Sequence, residues 1–474
     1  MKRILYLLIA VILVATGCST SVDNPPGDSE GTPSPPGEAA PTTSITYEDN
    51  IYFILVDRFN DAVENFWDVD KNDPKAYHGG DIRGIINKLD YINDLGMTAI
   101  WISPIMDNAP GGYHGYWIHD FYAVDEHFGT IDDFKELVEK AHALGMKVIL
   151  DYVFNHTGQG MAWLDDPNKQ DWFHENKPIT DWNDKDQLVN GWIYGLPDLN
   201  QENPLVRDYL VENALWWIGE TGIDGFRLDT ARHVPDEFLV YFIDKVKSDF
   251  PEFYLLGEVW HYNARILKLY QNLGFDGVTN YSLYNGINEA FGPYGDMRDF
   301  AKYLRDESLF TDASLNSIFI DNHDNPRFYR SERNYGKEYT EQALAFLFTY
   351  PAAATLYYGT EAMLEGEYDP VNRAFMPWDA TGELVPYIKE LSDIKSLYVK
   401  DFEVISYGSK YLVYRIEKDG RGMLVAINSG EKASDFEIPF SGKLRDYRTG
   451  ETIEAAGTLS LGMEPVSIRF FIID

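Results

Sequence analysis

The chain has 474 residues, of which 45% are hydrophobic, so it can bury a large core and hold more than one domain. Its formal net charge of −36 argues against nucleic acid and anionic membrane surfaces as partners, because both carry negative charge. The single cysteine, Cys18, excludes an intrachain disulfide. Aromatic residues make up 15% of the chain, which suits a protein that stacks rings against flat ligand faces.

The first 44 residues are typical of a targeting segment followed by a tether. Lys2 and Arg3 precede an apolar run at residues 4–14 that is too short to span a bilayer comfortably. The sequence ATGC at residues 15–18 resembles a bacterial lipoprotein signal, and the alternative is an ordinary secretory signal with an incidental cysteine. We therefore expect lipidation of Cys18 and an extracytoplasmic protein that meets a bacterial cell membrane only through that lipid.

Eight nearly continuous apolar runs follow, as expected of strands buried on both faces. They cover residues 51–57, 99–103, 147–151, 225–229, 254–258, 276–278, 317–321 and 354–358. Helical patterns lie between runs, as at residues 131–144, 204–221 and 235–248. Eight strands alternating with helices predict a (β/α)₈ TIM barrel, of class α/β. The alternative is an open doubly wound sheet. That fold typically has a Gly-rich, phosphate-binding turn after its first strand, and DRFN at residues 57–60 is not such a turn.

Polar side chains cluster where these runs end. They are Asp151, Asn155, His156, Arg227, Asp229, Glu258, His323 and Asp324. The carboxyl ends of barrel strands converge on one face, so these groups would share one pocket. Arg227 and Asp229 lie two residues apart and leave their strand on the same face. Taken alone, this pair fits a structural ion pair as well as a nucleophile held ionised by a guanidinium.

Four stretches, in this order along the chain, resemble motifs of the α-amylase family, glycoside hydrolase family 13. They are DYVFNH at 151–156, GFRLDTARH at 225–233, GEVW at 257–260 and FIDNHD at 319–324. LPDLN at 196–200, YHGYW at 113–117 and DPVNR at 369–373 resemble three further family stretches. The likeness extends from about residue 47 to the end of the chain.

The resemblance implies a role for each of three carboxyl groups. Asp229 matches the family nucleophile, Glu258 the general acid/base, and Asp324 the carboxylate that grips sugar hydroxyls. Retaining glycoside hydrolysis needs one carboxylate to attack the anomeric carbon and one carboxylic acid to protonate the leaving oxygen. Apolar neighbours of Glu258 would favour its protonated form by desolvation.

The resemblance also implies a set of substrate contacts, namely Tyr116, His156, Arg227, Arg232, His233, His323, Asp369 and Arg373. Tyr116 would stack on the sugar beside the catalytic groups, and Asp369 and Arg373 would bind the next sugar. Asp151 would mainly hold the site together. Arg232 departs from the family pattern, since starch-cleaving members often carry Lys there. The planar guanidinium of arginine makes different contacts from the compact ammonium of lysine. The departure concerns contacts at the leaving-group side rather than the chemistry.

Residues 157–203, rich in Trp and Asp, are long enough for a small subdomain, and the family has one at this place. Calcium takes oxygen ligands, and the resemblance implies two calcium sites. The first would use Asn155, Asp198 and the carbonyl of His233, and the second would use Asp61, Asn65, Gly79 and Asp81. An acidic surface loop is the alternative for the second. No His/Cys cluster suggests zinc.

From about residue 400, short alternating runs separated by turns predict an antiparallel β-sandwich. The predicted domains are a lipoprotein signal peptide (1–18), a disordered linker (19–44), a barrel (45–156 and 204–398), an inserted subdomain (157–203) and a C-terminal β-sandwich (399–474).

The sequence thus predicts a retaining hydrolase of internal α-1,4-glucosidic bonds in starch, related α-glucans and maltooligosaccharides. The alternatives within enzymes are a cyclomaltodextrinase or neopullulanase, an oligo-1,6-glucosidase and a glucanotransferase. The alternative from another class is a non-catalytic glucan-binding lipoprotein, although such relatives usually lose one of the three carboxylates, all of which are present here. We expect a monomer.

Overall fold

The computed structural model describes residues 45–63, 68–380 and 382–474. The predicted signal peptide, the linker and the lipidation site at Cys18 lie outside the described residues, as does Asn65 of the second predicted calcium site. Among the described residues, no helix combines the length and apolar composition that a membrane crossing needs.

Eight parallel strands close into a barrel. The strands described before residue 398 are β1 (Asn50–Ile54), β2 (Ala99–Ile102), β3 (Met106–Asn108), β4 (Ile118–Val124), β5 (Lys147–Tyr152), β6 (Gly225–Leu228), β7 (Tyr254–Gly257), β8 (Gly277–Val278), β9 (Ser317–Ile318) and β10 (Ala353–Tyr357). All but β3 and β4 form one sheet, in the order β8–β7–β6–β5–β2–β1–β10–β9. A parallel bridge between Thr279 and Ser317 joins its two edges, which confirms the predicted TIM barrel.

Helices surround this barrel, and one more, α5 (Lys185–Asn190), lies in the insertion at residues 157–203. They are α1 (Val56–Phe59), α2 (Ile82–Ile86), α3 (Leu89–Asp94), α4 (Ile131–Ala143), α5, α6 (Pro204–Thr221), α7 (Asp236–Asp249), α8 (Ala264–Leu273), α9 (Tyr281–Ala290), α10 (Met297–Asp306), α11 (Gly336–Thr349) and α12 (Val385–Tyr398). In α4, Thr130 and Asp133 cap the helix reciprocally, and Phe134, Leu137 and Ala141 form its buried stripe.

The first predicted strand is too long. Its run of apolar residues continues to Val56, but the strand ends at Ile54 and the one-turn helix α1 begins at Val56. Both segments are buried, so an unbroken apolar run cannot distinguish a buried strand from a buried helical turn. The hairpin of β3 and β4 was not predicted either. Its strands mix polar and apolar residues without a clean alternation.

Residues 157–203 contain α5 and three short 3₁₀ turns, and backbone bridges fold them onto the barrel. His156 pairs with Asp198 and Phe173 pairs with Leu199, so both ends of the insertion meet at the carboxyl end of β5. This brings the insertion alongside the predicted site.

The C-terminal region is an antiparallel sheet, as predicted. Its strands are β11 (Asp401–Tyr407), β12 (Tyr411–Lys418), β13 (Arg421–Asn428), β14 (Ser434–Asp446), β15 (Thr452–Met463) and β16 (Ser467–Ile473). One face joins the barrel core, where the hydroxyls of Tyr414 and Thr349 lie 2.6 Å apart. The hairpin of β14 and β15 covers the other face, with Phe436 and Leu461 packed against Leu424. All six strands belong to one sheet, in the order β11–β12–β13–β16–β14–β15.

Candidate active site

A cavity of about 740 Å³ opens at the carboxyl ends of the barrel strands. The predicted catalytic and substrate-binding residues line it, with the exception of Arg227: Tyr116, His156, Asp229, Arg232, His233, Glu258, His323, Asp324, Asp369 and Arg373. These residues are spread over more than 250 positions of the chain, so the barrel brings them together. The shared cavity supports the prediction from strand ends.

Arg227 lies beneath the cavity and joins three carboxyl groups. Its side chain is 1% exposed. Nη1 lies 2.8 Å from Asp151 Oδ1 and 2.6 Å from Asp229 Oδ1, and Nη2 lies 2.5 Å from Glu258 Oε1. One guanidinium therefore fixes both predicted catalytic carboxyls at neighbouring positions, with Asp151 as a third anchor. We call Arg227, Asp229 and Glu258 the catalytic floor.

Glu258 is held by a backbone amide as well. β7 ends at Gly257, and Glu258 Oε2 accepts a hydrogen bond of 2.9 Å from the amide of Thr230. Thr230 has the left-handed backbone angle φ = 47°, which is uncommon for a residue with a Cβ and is frequent at functional sites. Burial raises the pKa of the Glu258 carboxyl well above its ordinary value, opposed by the Arg227 charge. A buried carboxyl of this kind favours its protonated form.

Asp324 is the most open of the three predicted catalytic carboxyls. Its side chain is 26% exposed and lies 3.0 Å from Arg373 Nη2 and 3.1 Å from His323 Nε2. Arg373 also approaches Asp369, at 3.2 Å, and Asp369 accepts a hydrogen bond of 2.8 Å from the Tyr113 hydroxyl. Asp324 and the predicted neighbouring sugar contacts thus form one connected network.

Tyr116 is fixed between the floor and this network. Its hydroxyl donates to Asp151 Oδ2 at 2.8 Å, and its ring stacks on His323, with centroids 5.1 Å apart and planes 8° apart. Asp151 also accepts a bond of 3.1 Å from the indole of Trp101. Asp151 is fully buried, so it orients other groups from below, as the sequence predicted.

Burial favours the neutral form of the three predicted histidines. Burial lowers the pKa of His156 and of His323, and it lowers the pKa of His233 to about 4. His156 donates from Nε2 to the carbonyl of Tyr116 at 3.2 Å. His233 bonds through Nδ1 to the carbonyl of Leu188, so it ties the floor segment to the insertion. Within the described residues, the buried His323 Nδ1 has no hydrogen-bond partner.

Two exposed indoles line another part of the cavity. Trp182 and Trp260 are 41% and 42% exposed, and we call them the aromatic wall. Arg232 donates from Nη2 to the carbonyl of Trp182 at 2.9 Å and from Nη1 to the carbonyl of Trp260 at 3.4 Å. Two arms of the guanidinium predicted to contact substrate are therefore directed at main-chain oxygens.

The arrangement matches known proteins. A family model described as "Alpha amylase, catalytic domain" matches residues 53–383. This chain belongs to the α-amylase family. The α-amylase of Geobacillus thermoleovorans, solved with acarbose, superposes with a TM-score of 0.85 at 40% identity, over 90% of this chain and 98% of that one. An Anoxybacillus α-amylase gives a TM-score of 0.86, also at 40% identity, over 90% of this chain and 98% of that one.

A β/α-amylase of Paenibacillus polymyxa is 39% identical over 457 residues, which cover 89% of this chain. This chain spans only about 37% of the length of that relative. A cyclomaltodextrinase of Thermoanaerobacter pseudethanolicus is 32% identical over 422 residues, which cover 81% of this chain and 70% of that protein. The family match, with all three carboxyl groups in one cavity, supports a glycosidase and argues against the non-catalytic alternative.

Two of the three predicted ligands of the first calcium site, Asn155 and Asp198, fit a cation. Asn155 and Asp198 are fully buried, and within the described residues Asn155 Oδ1 and Asp198 Oδ1 have no hydrogen-bond partner. Two unpaired buried oxygens are the donor chemistry that calcium takes. His174 holds the other Asp198 oxygen through Nδ1, at 2.6 Å. Burial raises the pKa of Asp198 to about 7, opposed by His174.

The second predicted calcium site does not fit. The ammonium of Lys71 lies 2.8 Å from Asp61 Oδ2, and supplies a positive charge where a cation was expected. Asp81 Oδ2 accepts bonds from the amides of Ala62 and Val63, at 3.0 and 2.9 Å, and Oδ1 caps α2 through Gly84. The Asp81 oxygens are thus used by the backbone. In the described part of this segment, Asp81 and Asp61 therefore already have protein partners.

The sequence missed several groups of the family site. Thr230 supplies an amide to Glu258, Trp101 supports Asp151, and Trp260 and Tyr368 line the cavity. Trp101 is the third residue of β2, one position before its carboxyl end, so the strand-end rule could have found it. The backbone angle of Thr230 left no signal in the sequence.

Proposed function

We propose that this α-amylase-family enzyme hydrolyses internal α-1,4 bonds of starch-like glucans with retention of configuration. The observation that carries the proposal is the single Arg227 guanidinium that bonds both Asp229 and Glu258. Retaining glycosidases place their two carboxyl groups about 5–5.5 Å apart, and inverting ones about 6.5–9.5 Å apart. Sharing one guanidinium favours the shorter separation.

Two steps follow. Asp229 attacks the anomeric carbon while protonated Glu258 gives its proton to the leaving oxygen, which yields a glycosyl–Asp229 ester and a shortened chain. The Glu258 carboxylate then takes a proton from water, and the water oxygen displaces Asp229 from the anomeric carbon. The high pKa of buried Glu258 supports the acid role in the first step. Asp324, with Arg373 beside it, is placed to accept hydrogen bonds from sugar hydroxyls.

The choice of α-1,4 bonds in starch is supported by the LPDLN form at residues 196–200, His233 and the α-amylases of similar structure. The relatives also include enzymes named cyclomaltodextrinase and cyclomaltodextrin glucanotransferase, which keep those alternatives open, with neopullulanase and oligo-1,6-glucosidase activities beside them.

The test is product analysis on starch, pullulan and a cyclodextrin in parallel, with the anomeric form of new ends followed by NMR. We expect α-configured maltooligosaccharides released fastest from starch. β-Configured ends would contradict retention. Faster opening of the cyclodextrin, cleavage of pullulan, or formation of cyclic products would each identify one of the other activities.

We further propose a structural calcium ion held by Asn155, Asp198 and the carbonyl of His233. The ion would neutralise the buried Asp198 and join the insertion to the barrel. Chelation should lower the Tm, since a ligand at 100 times its Kd stabilises the folded state by about 2.7 kcal/mol. Asn155→Ala should abolish the calcium dependence, and Asp61→Asn, in the loop that does not fit, should leave it intact. A Tm that ignores chelation would contradict the site.

The proposed location is the outside of a bacterial cell membrane, through a lipid on Cys18. The support is the charged start, the short apolar run and the small residues before this cysteine. Metabolic labelling with palmitate should mark the wild type and leave Cys18→Ser unlabelled. Equal labelling of both proteins would exclude Cys18, and labelling of neither would favour an ordinary secretory signal.

A further inference from the structure

We propose that Arg232 is a positioning residue that holds together the main chains of Trp182 and Trp260, the two residues of the aromatic wall, and thereby sets how tightly the departing glucan chain is bound. The inference rests on the proposed hydrolysis, because it concerns the leaving-group side of that reaction. It replaces the expected sugar contact of Arg232 with contacts inside the protein.

The contacts of Arg232 reach two separate segments. Trp182 belongs to the insertion after β5, and Trp260 follows Glu258 by two positions at the end of β7. Arg232 follows Asp229 by three positions, in the 3₁₀ turn Ala231–His233. The two hydrogen bonds from its guanidinium, at 2.9 and 3.4 Å, therefore connect the nucleophile segment to both residues of the aromatic wall.

Trp260 is held from one side. Its ring stacks on the buried Tyr281, with centroids 5.1 Å apart and planes 6° apart. The indole is still 42% exposed and lines the cavity, so it presents surface to a ligand. Its position is fixed by β7, by Tyr281 and by Arg232.

Trp182 has weaker support. It touches the edge of His233, with centroids 5.8 Å apart at 78°, and the ring of Tyr194, with centroids 5.8 Å apart. Tyr194 is itself 83% exposed and has the left-handed angle φ = 50°. Of the wall contacts, the Arg232 bond of 2.9 Å is the strong polar one. Loss of Arg232 should therefore affect Trp182 more than Trp260.

The two hydrogen bonds require the planar, branched guanidinium group of arginine. Arginine presents five N–H groups in a rigid plane, so two arms can point at two carbonyls at once, whereas lysine offers one nitrogen on a flexible stem. Aromatic faces bind sugar rings by apolar contact, and the wall gains from being held open and fixed before the chain arrives. Arg232 thus acts on the substrate through Trp182.

The experiment is a double-mutant cycle of Arg232→Ala and Trp182→Ala. Activity is measured on maltoheptaose, whose leaving group is a glucan chain, and on p-nitrophenyl α-maltotrioside. We expect each single variant to raise KM for maltoheptaose about tenfold, which corresponds to about 1.4 kcal/mol. On the Trp182→Ala background, Arg232→Ala should raise KM little further, because both changes remove the same contact with the glucan chain. The nitrophenyl substrate should respond less.

The variant Arg232→Lys tests whether the branched guanidinium is needed or only its positive charge. It should behave like Arg232→Ala in KM while it folds normally, as judged by its Tm. Full retention of KM by Arg232→Lys, or additive effects of Arg232→Ala and Trp182→Ala, would overturn the proposal in favour of a direct sugar contact. A wild type that releases nothing from either substrate would instead sink the proposed function.

Discussion

The catalytic floor and the aromatic wall face the same cavity and are built in opposite ways. In the floor, Arg227 is 1% exposed and each carboxyl it touches is at most 8% exposed, with charged partners at 2.5 to 2.8 Å. In the wall, Trp182 and Trp260 are more than 40% exposed and are held through their main-chain carbonyls.

The difference indicates that the floor carries out the chemical step and that the wall binds the glucan chain. A buried group of fixed charges stabilises developing charge without reorganisation, because water is absent and the donors are already oriented. Exposed rings contribute contact area, which accepts many chain lengths. Changes to the floor should therefore affect the rate of the chemical step, and changes to the wall should affect affinity for longer chains.

The largest effect is expected from Glu258→Gln. Glutamine keeps the shape and the Thr230 contact but has no proton to give to the leaving oxygen. General acid–base catalysis contributes typically about 10²–10⁴-fold, and kcat on starch should fall by that order. A reducing-sugar assay measures the loss.

Glu307→Gln is the matched control. Glu307 is also buried, with a pKa raised by burial to about 8, and both its oxygens accept bonds from Asn280 Nδ2 at 3.0 Å. It lies outside the residues that line the cavity. Its variant should keep kcat within about twofold, since a glutamine offers a similar acceptor. Equal losses in both variants would mean that burial of an acid, rather than its place in the floor, explains the effect.

The next effect is on stability. Arg227→Met leaves Asp151, Asp229 and Glu258 buried without their cation, and breaking a buried ion pair costs about 3–5 kcal/mol. Urea unfolding should show a loss of that order, together with a loss of activity. Arg415→Met, at a surface pair with Glu417, is the control and should change stability by less than about 1 kcal/mol. An Arg227 variant as stable as the control would show that the floor does not depend on this guanidinium.

The floor was largely predictable from the sequence, and the wall was not. Asp229 and Glu258 of the floor follow strands that the apolar runs predicted, and the motifs implied their roles. The bonds of Arg232 depend on where a long insertion folds back, with 50 positions between Arg232 and Trp182. No periodic pattern records such a contact. The Lys71–Asp61 pair was missed for a similar reason, since a ligand-like spacing does not reveal which side chain supplies the positive charge.

The pH dependence follows from the charges of the floor. Because burial raises the pKa of Glu258, the acid form persists to higher pH, and kcat/KM should fall as pH rises through that raised value. The same group loses its stabilising contribution over that range, because the folded protein binds its proton more tightly than the unfolded chain. Asp324 also raises this pKa, so Asp324→Asn should move the alkaline limb of the residual activity to lower pH.

Asp369→Asn is the comparison for this shift. Asp369 lies in the same cavity but is not among the main charges that raise the pKa of Glu258. Its variant should change KM while the alkaline limb stays in place. A limb that moves equally in both variants would mean that the limb reports another group.

The smallest expected effect is in the wall, at Tyr281. Tyr281→Leu removes the ring on which Trp260 stacks, and aromatic pairs contribute about 0.5–1.5 kcal/mol beyond burial. KM for maltoheptaose should rise by that amount, roughly two- to tenfold, with kcat little changed. Tyr281→Phe keeps the ring and loses only the hydroxyl that accepts from Asn322 at 3.2 Å, so it should resemble the wild type. If Phe and Leu raised KM equally, the hydroxyl rather than the stacked ring would hold Trp260, and the wall would depend on hydrogen bonds as the floor does.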